Sequence, residues 1–256
     1  MALSRKITGW ILWRVALRGW FLQASWNFGR MQNLGFLFAL FPGLRVLYQG
    51  ADLQRVCRRH LDYFNTHPVL ALPVLGASLH LEERISQGQA PEMEVAEFKS
   101  VLAGPCAAMG DSFFWGTLRP LAASIAVGLA LAGFWWSVAV FLLLYNAPSC
   151  GLRIYGFWQG YRRGYRIVDK LHRWGLSDLA YRLRAILVMV LGGVSAWITF
   201  SGLESVRQPG HWGWLVVPVM VMVGWLVRRG LSSLAMLTGV VLLVWIGSHV
   251  CASVGF

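Results

Sequence analysis

Charged positions are spread very unevenly along this chain of 256 residues. Residues 120–152, 185–203, 208–227 and 230–256 contain no Asp, Glu, Lys or Arg. A helix needs roughly 20 mainly apolar residues to cross about 30 Å of hydrocarbon. All four windows meet that length, although the third is interrupted by Pro218 and holds His211. The pattern predicts about four hydrophobic helices in residues 121–256.

The first 120 residues read differently. Residues 7–22 place Arg14 and Arg18 four apart among Trp10, Trp13, Leu17, Trp20 and Phe21. This is the layout of an amphipathic helix lying at a membrane interface. Residues 34–48 are apolar, contain Pro42-Gly43 and are too short for a span. Residues 52–64 pattern as a polar helix, with Arg55, Arg58, Arg59 and Asp62 on a wet face. Residues 68–81 are apolar but interrupted by Pro73 and Gly76, and they run into Glu82-Glu83-Arg84. Residues 102–120 hold Gly104-Pro105, Gly110-Asp111, Gly116 and Arg119-Pro120 around Phe113, Phe114 and Trp115. Broken apolar pieces of this kind predict re-entrant hairpins or discontinuous helices, which membranes tolerate only where protein or a cavity covers the backbone. The expected fold is an all-α integral membrane protein. It forms a single membrane domain over 1–256, with an N-terminal portion (1–120) of interfacial and broken helices and a C-terminal hydrophobic helix region (121–256).

Composition agrees. Hydrophobic residues make up 57% of the chain and charged residues 13%, against about a quarter charged in soluble domains. The net charge of +12 comes mostly from arginines that flank apolar segments. That placement points to lipid headgroups and cytoplasmic loops, with no nucleic-acid partner. Residues 153–184 carry eight basic and two acidic side chains, and Arg228-Arg229 follow the third window. The positive-inside rule puts both on the cytoplasmic side and the C-terminus outside.

Chemistry-bearing motifs are sparse. The four cysteines form no C-x-x-C pair and the six histidines show no metal-ligand spacing, so neither a metal site nor a cofactor is expected. No phosphate loop, dinucleotide fingerprint or G-x-S-x-G elbow occurs. The chain is therefore expected not to be an enzyme, with any active uptake driven by a gradient or by partners. Asp111, between Gly110 and Ser112, is the strongest single candidate, because a carboxylate among apolar residues needs partners or work. Glu82 and Glu83 end an apolar segment, and one of the two is expected to be simply wet. Gln23, Ser25, Trp26, Asn27 and Gln32 form a polar and aromatic group suited to sugar hydroxyls and C–H faces.

Three stretches carry a family resemblance: residues 24–36 (ASWNFGRMQNLGF), residues 59–68 (RHLDYFNTHP) continuing to Gly76 and Leu81-Glu82-Glu83, and residues 104–120 (GPCAAMGDSFFWGTLRP). Together they resemble the IID membrane subunit of the mannose-type phosphotransferase system. The resemblance implies a subunit of the bacterial cytoplasmic (inner) membrane that pairs with a IIC subunit to carry a hexose, assembled as a multimer of IIC–IID pairs. Soluble IIA and IIB proteins would relay phosphoryl groups from phosphoenolpyruvate to the arriving sugar, with no phosphohistidine on this chain. On the matched positions, Asn27, Gln32, Glu82, Glu83 and Asp111 are candidates for substrate binding or translocation. Trp26, Arg30, Asn65, Trp115 and Arg119 are candidates for structure or partner contact. Gly29 stands where the family usually has Glu, and Cys106-Ala107-Ala108 replaces a more glycine-rich run. The alternative these departures raise is a non-transporting membrane scaffold or regulatory relative.

Overall fold

The computed structural model describes residues 6–205, 207 and 209–254. Every regular element among them is helical. In chain order these are α1 (Gly9–Arg18), α2 (Asn33–Leu47), α3 (Gly50–His60), α4 (Ala71–Ser86), α5 (Met93–Gly110), α6 (Arg119–Leu131), α7 (Ser137–Arg163), α8 (Ile167–Arg173), α9 (Leu176–Ser205), α10 (Val216–Arg228) and α11 (Ser233–Val254). A π-helix, Asp111–Leu118, joins α5 to α6 without a break. Among the described residues, three helical runs are long and apolar enough to cross a membrane: Met93–Leu131, Ser137–Ser205 (which contains α7, α8 and α9) and Gly210–Arg228. The all-α membrane fold is as expected.

Two compact units divide the chain, Met1–Leu191 and Gly192–Phe256. In the first, α4 is the central post. Residues 71–79 are buried without interruption, as are Leu81 and Glu82. Helix α4 packs most extensively on α7, through backbone contact. A methyl group on Gly76 would strike the Phe157 carbonyl, and one on Gly160 would strike the Pro73 carbonyl. Gly156 and Gly160 lie four apart on α7, the small-xxx-small spacing that lets two helices approach closely. Helix α1 covers this core with Leu12, Val15 and Ala16, while Trp10, Trp13 and Leu17 stay exposed.

The second unit has little interior of its own. Helix α10 buries no residue. A 3₁₀ turn, Gly210–Leu215, precedes it and brings Gly213 against the Phe200 ring.

Several expectations need correction. Residues 68–81 and 102–120 are not broken pieces. Pro73 falls in the first turn of α4, where backbone N–H groups have no intrahelical partner to lose. Pro105 does lie inside α5, but the helix continues because Leu102, Cys106 and Gly110 are buried on both sides of it. The window 120–152 is not one span. It turns at 132–136, with Gly133 at φ +86°, and contributes α6 and the first part of α7. The basic stretch 153–184 is mostly helix, the connection between α7 and α9 holding the 3₁₀ turn Gly164–Arg166, α8 and a turn at 174–175 where Gly175 has φ +58°.

Candidate functional site

The π-helix places an aromatic and polar cavity where four pieces of chain meet. Its turns are wider than those of an α-helix, with i→i+5 geometry; accordingly the Thr117 hydroxyl donates to the Ser112 carbonyl at 2.8 Å. From α9, Arg184 braces this segment, donating to the Ser112 hydroxyl at 2.9 Å and to the Thr117 hydroxyl at 3.3 Å. Opposite it, the His67 ring stacks on Phe114 at 5.1 Å and meets the edge of Trp115 at 4.8 Å. Gly110 permits this approach, since a side chain there would occupy the position of the His67 ring.

The cavity has a volume of about 180 Å³. Trp20, Gln23, His67, Trp115, Tyr145, Asn146 and Arg153 line it, and no carboxylate does. Arg153 lies over the Trp20 ring at 4.9 Å. Its Nε is buried without a hydrogen-bond partner, as is His67 Nε2. Burial, with the Arg153 charge nearby, lowers the His67 pKa from 6.5 to about 4, so the ring is neutral. Its Nδ1 accepts from the Val69 N–H at 3.3 Å, which assigns the proton to Nε2. His67, Arg153, two amides and aromatic walls therefore border one small space. An arginine in an apolar helix without an acidic partner marks a functional position, and none of the ion pairs among the described residues includes Arg153.

The residues matched in 24–36 build a clamp beside this cavity. Asn27 and Met31 exchange backbone hydrogen bonds, and the Asn27 carboxamide accepts from the Arg30 N–H at 2.8 Å and donates to Asn33 at 3.0 Å. Asn33 and Arg30 both donate to the Leu61 carbonyl, at 2.7 and 3.1 Å. Gln32, fully buried, pairs with the Thr66 backbone through both ends of its amide. Met31 is held at φ +57°, a left-handed conformation that costs energy in a residue with a side chain and persists only where surroundings impose it. Asn65 is half-buried at the edge of the clamp, and its side chain makes no hydrogen bond to the described residues. Trp26 is exposed and packs edge-on against Phe28.

Glu82 anchors a second cluster. Its carboxylate is 0% exposed and takes bonds from Arg59 at 2.8 Å, from His60 Nε2 at 2.7 Å and from the Tyr48 hydroxyl at 2.8 Å. Burial pushes its pKa up, but the His60 bond, the Arg59 charge and the Tyr48 hydroxyl outweigh it and hold the carboxyl below its ordinary value. Burial lowers the His60 pKa from 6.5 to about 4, against the pull of Glu82. The cluster ties α3 and α4 to the chain at the end of α2. Glu83 is not simply wet either, because it accepts from the Tyr161 hydroxyl at 2.7 Å. Asp111 is exposed at the start of the π-helix and makes no hydrogen bond or ion pair with the described residues. Arg119, also exposed, stands eight residues along the same unbroken helical run and is not its partner.

Sequence reading passed over His67, Arg153 and Asn146 as site residues. The only available signal was an uncompensated arginine within an apolar stretch, and residue 153 looked like the edge of a loop.

Helices packed around a polar and aromatic cavity, together with apolar runs long enough to cross a membrane, define an all-α membrane protein. Residues 6–206 match the family described as PTS system mannose/fructose/sorbose family IID component. The chain is 37% identical over 198 residues to the mannose-specific EIID component of Escherichia coli K12, covering 76% of this chain and 70% of that one. It is 29% identical over 261 residues to the fructose permease IID component of Bacillus subtilis, covering 94% and 95%. A chain of the solved mannose transporter ManYZ in complex with microcin E492 superposes with a TM-score of 0.61 at 29% identity, over 96% of this chain and 98% of that one. This chain belongs to the mannose/fructose/sorbose family of phosphotransferase-system IID components, and is thus a membrane permease subunit, not a phosphorylating enzyme.

Proposed function

We propose that this chain is the IID half of a hexose permease in the bacterial cytoplasmic membrane, pairing with a IIC subunit in a multimer of such pairs. Soluble IIA and IIB proteins phosphorylate the sugar as it arrives. The observation that carries this reading is the cavity at the π-helix. Donors from His67 and Arg153, amides from Gln23 and Asn146, and the Trp115 and Tyr145 rings suit a polyol with hydroxyl edges and C–H faces. Asn65 and Asp111, whose polar atoms are not spent on the described residues, are available to the sugar or to the IIC chain. Gln32 and Glu82 support the site from behind, their polar atoms being taken by the fold. Gly164–Arg166 and Arg228 face the cytoplasm, which places the turn at 132–136 outside.

Uptake of labelled hexose into vesicles supplied with the soluble components tests the proposal. Trp115→Phe and Asn146→Ala should each lower apparent affinity about tenfold, within the 1–3 kcal/mol of a lost buried polar or packing contact, and leave complex yield unchanged. Wild-type affinity in both variants would move the sugar elsewhere. A wild-type complex that assembles but takes up no hexose would favour the scaffold reading. Gly29 bears on that second reading: it is exposed, with only the Asn27 carboxamide nearby at 3.7 Å. The absent carboxylate there alters a surface, not the clamp.

A further inference from the structure

We propose that the cleft between α1 and α2 is a binding site for the phosphate headgroup of an anionic phospholipid. Three arginines converge on it, Arg14 and Arg18 from α1 and Arg45 from α2, over an apolar floor of Ile11, Phe41 and Val46. The cleft encloses about 350 Å³. None of the three guanidinium groups is in an ion pair with the described residues. Like charges four apart on a helix repel, and a third brought in by a neighbouring helix adds to the cost. A shared anion offsets that repulsion.

Two of the three guanidinium groups are also held in place. Arg18 donates to the Phe38 carbonyl at 3.3 Å and lies over the Phe38 ring at 4.6 Å; Arg45 lies over Phe41 at 5.8 Å. Braced on aromatic faces, they keep N–H edges for an incoming oxyanion, and guanidinium is the group that matches phosphate in fork geometry. The neighbourhood sets the depth. Trp10, Trp13, Leu17 and Phe21 on one side of the cleft, and Phe38 on the other, are all exposed. Aromatic side chains beside arginines belong at the level of the headgroups. A diester phosphate meets the arginines there while its acyl chain follows Ile11, Phe41 and Val46, which explains why the cleft is half charged and half apolar.

The test uses the full chain purified from membranes in mild detergent with whatever proteins stay bound. The preparation is exchanged into phosphatidylcholine and titrated with phosphatidylglycerol, and bound lipid is counted by native mass spectrometry. Phosphatidylglycerol should be retained in preference to phosphatidylcholine. Each Arg→Gln change should reduce that preference roughly fivefold, and the triple variant R14Q/R18Q/R45Q about a hundredfold. Because Arg18 has internal contacts, R14Q/R45Q provides a variant that spares them, with an expected loss of roughly 25-fold. Equal retention of the two lipids, or unchanged preference in R14Q/R45Q, would overturn the proposal. So would displacement of the lipid by excess inorganic phosphate, which assigns the cleft to a free anion. Loss of a bound protein from the variants with lipid retention unchanged would assign it to a partner chain instead.

Discussion

Close-packed glycines are concentrated in one of the two compact units. In the first unit Gly35, Gly43, Gly76, Gly110, Gly156 and Gly160 each sit where a side chain would collide with a neighbouring element. In the second, a methyl group on Gly192, Gly193, Gly202, Gly210, Gly224, Gly230 or Gly239 would meet nothing within 4 Å, and among the described glycines there only Gly213 would strike a neighbour. The first unit is built by close helix contact and carries its own interior, including buried charge. Trp212, Trp214, Val221, Trp225 and Trp245 of the second unit are all more than half exposed, and apolar surface on that scale is solvated by lipid or by another chain. One unit therefore depends on its own packing, and the other on its surroundings.

The sharpest way to break this contrast is to enlarge a glycine in each unit. Gly76→Leu and Gly160→Leu should abolish folded protein, read as loss of the monodisperse, protease-resistant species in detergent. Overpacking commonly costs about 1–3 kcal/mol, and backbone on both sides leaves no side chain able to yield. Gly224→Leu should change thermal stability by no more than about 0.5 kcal/mol. Equal losses at Gly76 and Gly224 would remove the distinction.

Next in size is the buried carboxylate. Glu82→Ala leaves buried His60 and the Tyr48 hydroxyl without their partner and Arg59 with only the exposed Glu92, and should cost about 3–5 kcal/mol, measured as a fall in unfolding temperature of the purified complex. Glu82→Leu should cost less, because volume is retained. No counterpart exists in the second unit, whose acidic residue Glu204 is exposed.

Much of this contrast is legible in the amino-acid sequence. Charge-free windows announced the lipid-facing helices, and alternating arginine and tryptophan announced α1. What could not be read was which polar residues would be spent on the fold. Gln32 and Glu82 look like any other free amide or carboxylate in one dimension, yet their partners lie 34 and 22 or more residues away. The cavity was hidden for the same reason, since Trp20, His67, Trp115 and Arg153 come from four separate segments. Gly and Pro misled in 68–81 and 102–120 because close packing selects glycine as strongly as a chain break does.

Acid should separate the regions more gently. With the His60 pKa lowered in the folded chain from 6.5 to about 4, the unfolded state binds more protons between those values, so stability falls as pH drops through that window. The lowered Glu82 carboxyl acts in the same direction, contributing stability above its ordinary value that is lost on acidification. Unfolding temperature should be flat near neutrality and decline below about pH 6.5, and His60→Gln should make the decline shallower, the rest coming from His67, whose pKa is lowered over the same range, and from Glu82. The smallest effect is expected at Gly29→Glu, where open space should keep stability within about 0.5 kcal/mol, so that any change in hexose uptake reports on substrate and not on folding.

The π-helix between α5 and α6 also works as a phase adjuster. Each residue along an α-helix advances the direction of its side chain by about 100°, so segments on either side of an ordinary helix have a fixed angular relation. Widened turns at Asp111–Leu118 slip that relation and accommodate residues that a regular coil would have to carry round. Helix α5 can then aim Gly110 at His67 while α6, on the same continuous rod, presents buried Leu121, Ala122 and Ser124 at an angle regular winding would not supply. Removing a single residue from 112–116 would let the rod wind regularly again. The helix would survive the deletion, but the two faces it now serves would turn out of alignment.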